Sequence, residues 1–300
     1  MRPSRSRDRL FSASRPMFTI FIVALLVLST VGAYAVLFAL PEGKVAGVGD
    51  KVRVDYIGKF DDGRVFDTSL WSVASDEGEP KSLFFSMRGG EDKYKPFEFT
   101  VGRYGAITGF DLGVRGMKVG ETKTFTVPVD PGYGEMDQAL MRTMQLEETL
   151  PLDMTMTKEE FRSTFGVDPS SLRNFAHPLL GIKAYVTSYD ATKDEVKLTY
   201  AHNGDGDVFR VCADDRGAEG WEVKVIGKTS TNITVQHQLS SDDNFKVRGH
   251  DKIGVTVDKL VKRDFYIDDV DADKGTFVMN YNPETVGRVL TFTVTLRSIN

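Results

Sequence analysis

The chain has one cysteine in 300 residues, Cys212, which excludes an internal disulfide framework and leaves burial as the source of stability. Cys212 ends the strand-like run 208–212 and reads as a small buried hydrophobe. Histidine is nearly as scarce: His177, His202, His237 and His250 are scattered without ligand spacing, and no metal site is expected from them. Residues 269–275 imitate a calcium loop, but the glycine comes one place late and Asn280 stands where a bidentate glutamate belongs, so the run reads as a hairpin turn. A phosphate-binding glycine loop and a nucleophile elbow are both missing, and no cofactor is expected. Positive charge is confined: residues 1–16 carry five arginines against Asp8, so the net charge of -5 combines +4 there with -9 in the remainder. Without a basic, aromatic-studded patch beyond residue 16, nucleic acid is not expected as a partner.

Long apolar runs are missing too, with one exception. Residues 17–40 hold twenty-four positions without a charge; as a helix they would extend about 36 Å, enough to cross a hydrocarbon core of about 30 Å with some tilt. Arginines precede this segment and Pro41-Glu42-Gly43 follows it, so the positive-inside bias keeps the basic tail at 1–16 cytoplasmic and exports the rest. The expectation is a single-pass membrane anchor with the folded domains extracytoplasmic. Ala33-Tyr34-Ala35 offers the alternative of a cleaved signal peptide, against which the apolar residues 36–40 continue past the site. A buried globular helix fits poorly with a segment apolar on every side. About eight residues join the anchor to the first strand and hold the domain within about 30 Å of the bilayer. Asn232-Ile233-Thr234 is a glycosylation sequon open to an exported domain, although such triplets arise by chance and this one sits in a strand-like run. The remaining composition, 41% apolar over the chain, supports one or two modest cores.

What is present is a pattern at residues 52–69. Val52, Val54 and Tyr56 alternate with polar residues, Asp62-Gly63 supplies a turn, and Val65-Phe66-Asp67 returns, which makes a hairpin with an apolar face. Further on come Pro96-Phe97-Glu98-Phe99, Ile107-Thr108-Gly109-Phe110, the strand 122–129, and Asp130-Pro131-Gly132-Tyr133-Gly134. In this order and spacing the segments resemble the FKBP-type peptidyl-prolyl isomerase family, whose pattern runs from V-x-Y-x-G through a D-G turn to F-D-[ST]-S. Residues 282–299 are similar to the closing loop and last strand of the SlyD-like branch, here in a membrane-anchored archaeal form. The resemblance implies an α+β fold. Residues 48–138 and 283–300 would form an FKBP-like antiparallel half-barrel sheet wrapped on one short helix. A mainly β inserted domain would occupy 139–282, and the N-terminal transmembrane helix 17–40. The runs 122–127 and 290–296 both alternate with period two, one face threonine-rich and the other apolar and directed at the helix.

SlyD-like proteins carry an insert-in-flap domain at this point that captures unfolded polypeptide, usually a much shorter one. Here residues 157–166 have a capping box and a glycine stop, hence a short helix, and 169–175 suggest another. Hairpins are expected at 183–200, 221–238 and 264–281. The register shared by the first and third, Tyr189-Asp190-Ala191 against Val270-Asp271-Ala272, points to two related lobes. The loop at 70–95, polar except for Trp71, Phe84 and Phe85, separates Asp67 from Phe97; those aromatics either pack the loop down or offer a greasy surface.

The implied activity is rotation about X-Pro bonds, whose barrier of about 18–20 kcal/mol makes the uncatalysed process slow enough to limit folding. The twisted transition state is less dipolar than the planar amide, so a dry aromatic pocket favours it without a nucleophile. By resemblance Tyr56, Phe66, Asp67 and Tyr133 are catalytic, and Phe97, Phe99, Ile107, Phe110 and Phe292 bind substrate. Tyr133 would donate its hydroxyl to one substrate carbonyl and the Ile107 N–H would pair with another, with Asp67 near the rotating carbonyl. Phe99, Ile107 and Phe292 would equally serve as core in any such half-barrel. The chain departs from the family at Phe110, where tryptophan is common, at Gly105-Ala106, and at 282–287, where SlyD-like members show N-H-P-L-A-G; the histidine-rich tail of some members is also missing. Two readings follow: a monomeric prolyl isomerase and folding helper for unfolded or proline-containing exported polypeptides, or a catalytically weak binding module whose insert acts as a holdase.

Overall fold

Alternation in residues 51–60 becomes a strand, β1 (Lys51–Phe60), with Val52 and Val54 fully buried and Lys51 and Arg53 outside. In the computed structural model, which describes residues 43–103, 105–169, 174–201, 204–241, 247–251, 253 and 263–300, β1 is the spine of a five-stranded antiparallel sheet. One edge of β1 pairs with β17 (Leu290–Ile299), which pairs in turn with β4 (Thr122–Val127). Its other edge is shared by β2 (Val65–Thr68) and β3 (Phe97–Thr100). Strand β4 stops at Val127, before Pro128 removes a donor from the ladder. The basic tail, the apolar segment 17–40 and the site after Ala35 lie outside the described residues. Among those described, no helix is long and apolar enough to cross a membrane.

The short helix expected after Ile107 is α2 (Thr108–Val114), which follows the single turn α1 (Trp71–Ala74). Phe110 and Val114 face the sheet, and a Cβ on Gly113 would stand 2.2 Å from the Phe125 ring. Glycine thus permits a helix-to-sheet approach that any side chain would push apart. Asp111 is buried, and the Gly102 N–H and the Arg115 guanidinium both donate to it, as a buried charge requires.

Residues from Met141 onward build a second body of strands with its own core. Three consecutive hexads, Leu140-Met141-Arg142-Thr143-Met144-Gln145, Leu146-Glu147-Glu148-Thr149-Leu150-Pro151 and Leu152-Asp153-Met154-Thr155-Met156-Thr157, supply β5 (Met141–Gln145), β6 (Glu147–Pro151) and β7 (Asp153–Met156). Each hexad strand closes one four-stranded antiparallel sheet. β7 pairs with the meander β8 (Asn174–Ala176), β9 (Lys183–Asp190), β10 (Glu195–Tyr200). β6 takes β11 (Val208–Val211), β12 (Trp221–Lys228), β13 (Asn232–His237), and β5 takes β14 (Arg248–Asp251), β15 (Arg263–Asp271), β16 (Thr276–Asn280). The backbone N–H groups of Tyr200, His237 and Tyr281 donate to the carbonyls of Leu152, Leu146 and Leu140 at 2.8, 2.8 and 2.9 Å, the same contact three times.

The expected pair of lobes is therefore corrected to three related sheets. The hairpin at 221–238 has the same topology and a bulge at the corresponding place, although its turn sequence differs. Most of the second helix expected at 169–175, residues 170–173, lies outside the described residues; its last two positions, Asn174 and Phe175, are instead strand, paired on the edge of β9. Helix α3 (Lys158–Phe165) forms as its capping box dictates and ends at Gly166 with φ 68°. Asn232 opens β13 opposite Pro151, and the Thr234 hydroxyl of the sequon lies 2.9 Å from that of Thr149.

The chain crosses between the two bodies at Asp137 and Asn282, and one side chain joins the crossings. Asn282 Oδ1 accepts from the Asp137 N–H, while its Nδ2 donates to Asp137 O and to Asn280 Oδ1. Val45–Asn300 is accordingly a single compact unit.

Candidate functional site

Tyr56 ends the buried alternation of β1, Phe66 and Asp67 lie on β2, Phe97 on β3, Phe110 on α2 and Phe292 on β17. Sheet curvature brings these positions, with Gly105, Ala106, Ile107 and Tyr133, around one cleft of about 350 Å³. Its walls are rings set edge to face: Phe110 to Phe292 at 4.9 Å, Phe66 to Phe292 at 5.6 Å, Tyr56 to Phe110 at 5.8 Å and Tyr56 to Phe97 at 6.1 Å. That geometry suits the ring quadrupoles. Gly58 makes room for the wall, since a Cβ there would meet the Phe66 ring at 2.6 Å. Of the nine residues expected at the site, eight line the cleft. Phe99 stands behind it, stacked on Phe97 at 5.5 Å and 5% exposed.

The polar rim is organised around Asp67. The Tyr56 hydroxyl donates to Asp67 Oδ2 at 2.5 Å, and the Thr68 N–H donates to Oδ1 at 2.9 Å. Burial, then the neighbouring Asp67 charge, raises the Tyr56 phenol above its ordinary range and keeps it a neutral donor. Arg88, from the β2–β3 connection, donates to Asp67 Oδ1 at 2.5 Å and to the Tyr56 hydroxyl at 2.8 Å. The desolvation that would lower its guanidinium is outweighed by Tyr56 and Asp67, so its pKa rises. Sequence reasoning missed Arg88, which stands in an aperiodic polar run with no signal of its own.

Tyr133 is 47% exposed, and its hydroxyl has no hydrogen-bond partner among the described residues. Partial burial and then the Asp67 charge raise its pKa. The Ile107 N–H, one residue before α2, likewise has no acceptor among the described residues. Two donors are thus left open beside apolar walls, an arrangement suited to holding the carbonyls of an extended peptide.

A second cleft, of about 510 Å³, shares Phe66 with the first and lies between the closing loop, Phe84 and the sheet β14-β15-β16-β5. Near it Asp214, His250 and Asp264 bring ligand-type atoms within 4.8 Å of one another, a cluster that spacing along the chain did not reveal. The Arg216 guanidinium already serves this cluster, 2.9 Å from Asp214, 3.1 Å from His250 Nδ1 and 3.9 Å from Asp264. With a guanidinium already paired to these groups, the cluster is accounted for as an ion-pair network.

Residues 43–156 match the family described as FKBP-type peptidyl-prolyl cis-trans isomerase. The chain is 40% identical over 99 residues to the Short-type peptidyl-prolyl cis-trans isomerase of Methanocaldococcus jannaschii, a span of 33% of this chain and 57% of that protein. Identity to FK506-binding protein 3 of Dictyostelium discoideum is 31% over 127 residues, covering 38% of this chain and 55% of that protein. Against Peptidyl-prolyl cis-trans isomerase FKBP53 of Arabidopsis thaliana it is 34% over 95 residues, 31% of this chain and 15% of the other. The chain thus spans little more than half the length of the first two of these relatives. The matched region is similar to an FKBP-type domain; it holds β1 to β4 of the mostly antiparallel first sheet and reaches through the hexad strands β5, β6 and β7 of the insert.

Proposed function

We propose that the protein is a peptidyl-prolyl cis-trans isomerase that turns X-Pro bonds in the cleft of Tyr56, Asp67 and Tyr133, without covalent chemistry. The observation that carries this reading is an aromatic cleft with two open donors on its rim, in a region similar to proteins named as such isomerases. Proline enters among Phe66, Phe97, Phe110 and Phe292, where little water remains to solvate the planar amide dipole. The Tyr133 hydroxyl and the Ile107 N–H hold flanking carbonyls, so binding energy is spent on the twisted geometry. Asp67, locked by Tyr56, Thr68 and Arg88, presents a fixed negative field beside the rotating carbonyl.

The finer parts of the reading concern clients and place. As in SlyD-like proteins, the insert would hold an unfolded segment of the client whose proline occupies the cleft; exposed Tyr185, Val208 and Ile226 offer apolar contacts. Residues 17–40 would anchor a monomeric, extracytoplasmic enzyme. Recovery of the protein in the supernatant of washed membranes would end the anchor reading.

A second reading, a binding module with little turnover, is favoured by the altered closing loop. Its Asn282 and Glu284 are buried and spent on structure, only 5% and 6% exposed. A protease-coupled isomerisation assay on residues 45–300 separates the two. Acceleration over background is expected, and binding of a proline peptide without acceleration would leave the module alone.

A further inference from the structure

Arg88 reaches the cleft from the β2–β3 connection, residues 69–96, and not from the sheet. A half-exposed ion pair orders a connection of that length poorly, because solvent competes for both partners and the chain entropy is large. Two mounts hold it. On one side the Arg88 N–H donates to the Tyr94 hydroxyl at 3.1 Å, and its guanidinium lies 5.7 Å from the Tyr94 ring, which rests on Trp71 at 5.4 Å. On the other side, four residues earlier, Phe84 is seated on the insert. The Arg248 guanidinium covers its ring at 4.8 Å and Tyr266 meets it at 6.1 Å. The buried Glu284 carboxylate accepts from the N–H groups of Leu83 and Phe84 at 3.4 and 3.1 Å. Asn280 then donates to Tyr266 at 2.9 Å and accepts from Asn282 at 2.9 Å, which ties this seat to the crossing between the two bodies. Four residues extend at most about 14 Å, so displacement of Phe84 is felt at Arg88.

We propose that Phe84, Arg248 and Glu284 are positioning residues. The insert's β14–β15 face clamps the β2–β3 connection and thereby sets Arg88 against Asp67 and Tyr56, so the insert tunes the cleft even for a peptide too short to touch it. This rests on the isomerase reading of the cleft. The altered closing loop has a role here: Glu284 serves the clamp.

The test uses the full chain and a short Xaa-Pro peptide. Phe84→Ala and Arg248→Met are expected to lower kcat/KM by about five- to tenfold, and Arg88→Ala by about tenfold. On the Arg88→Ala background the first two add less than about twofold, because the contact they support is already gone. The NMR signal of the Arg88 guanidinium, shielded by Asp67 in the unsubstituted protein, should exchange faster in Phe84→Ala and Arg248→Met but not in Lys274→Ala, on an exposed hairpin of the same sheet. Effects that multiply with Arg88→Ala would overturn the proposal. So would an unchanged rate and Arg88 signal in both variants while Tyr94→Phe loosens Arg88, since the local mount would then suffice. A chain without any catalysis would sink the isomerase reading alone, and the Arg88 signal would still decide the clamp.

Discussion

The five-stranded sheet and the insert both bury aromatic rings at steep angles to one another, yet they finish their polar tips differently. In the insert Trp221 meets Phe265 at 5.9 Å and Phe277 at 5.8 Å, and Phe265 meets Tyr281 at 5.1 Å. The tips there are closed off: Trp221 Nε1 donates to His237 Nδ1 at 2.9 Å and the Tyr281 hydroxyl to Asp251 at 2.6 Å, both within the core. In the sheet, Tyr56 is closed on Asp67 in the same way, but the wall opens and Tyr133 stands at the rim with its hydroxyl unspent. Ring content alone therefore says where a core is. An opening with unsatisfied donors is where the proposed peptide would bind.

Removing one ring from each cluster should separate the two most strongly. Phe292→Ala and Phe277→Ala remove side chains 4% and 1% exposed, and each should cost about 3–5 kcal/mol in denaturant unfolding. Peptide binding should disappear with Phe292 and survive in the fraction of Phe277→Ala that remains folded. Loss of binding in both would show that the clusters are not functionally distinct.

Acid should strike the insert and spare the cleft, which has no histidine in its lining. Burial depresses His177 from 6.5 to about 4, and its Nδ1 accepts from the Leu179 N–H. Its contribution is complete above pH 6.5. As pH falls towards 4 the unfolded chain takes up a proton that the folded one refuses, so up to about 3 kcal/mol is lost in that window. Urea midpoints should fall between pH 7 and 4.5 and flatten in His177→Gln; an equal slope in that variant would exonerate His177.

Within the cleft the effects are smaller and kinetic. Asp67→Asn weakens the hold on Tyr56 and Arg88 and should lower kcat/KM about tenfold, or about 1.4 kcal/mol. Its unfolding free energy should change by less than about 1 kcal/mol, because the ion pair with Arg88 is partly exposed. Tyr133→Phe should lower kcat/KM about fivefold, about 1 kcal/mol, and leave stability within about 0.5 kcal/mol. A Tyr133→Phe protein that is less stable but equally active would reverse the role assigned to that hydroxyl.

Much of the cleft was legible because its residues sit in short local patterns. Val54 and Tyr56 alternate on one strand, Phe66-Asp67 follow a turn two residues long, and Tyr133 lies beside a turn glycine, so each pattern is visible within a few positions. The threefold order of the insert was legible in principle. Leucine recurs at 140, 146 and 152 with threonine three places on, but strands this short resemble loop until their partners, forty or more residues away, are known. Residues 169–175 looked helical because local propensity ignores an unpaired strand edge, and pairing with β9 decided Asn174–Ala176.

Side-chain chemistry and near-neighbour sterics already dictate, from the order of residues, which positions are apolar at period two, where the turns fall and which rings and polar tips are available. Only the folded arrangement sets Arg88 against Asp67 and Phe84 against Arg248, lets Asn282 join the two crossings while Glu284 holds the β2–β3 connection, and brings Arg216 to Asp214, His250 and Asp264. Those roles depend on distances between segments up to two hundred positions apart, and such distances exist only after burial has drawn the chain around its two cores.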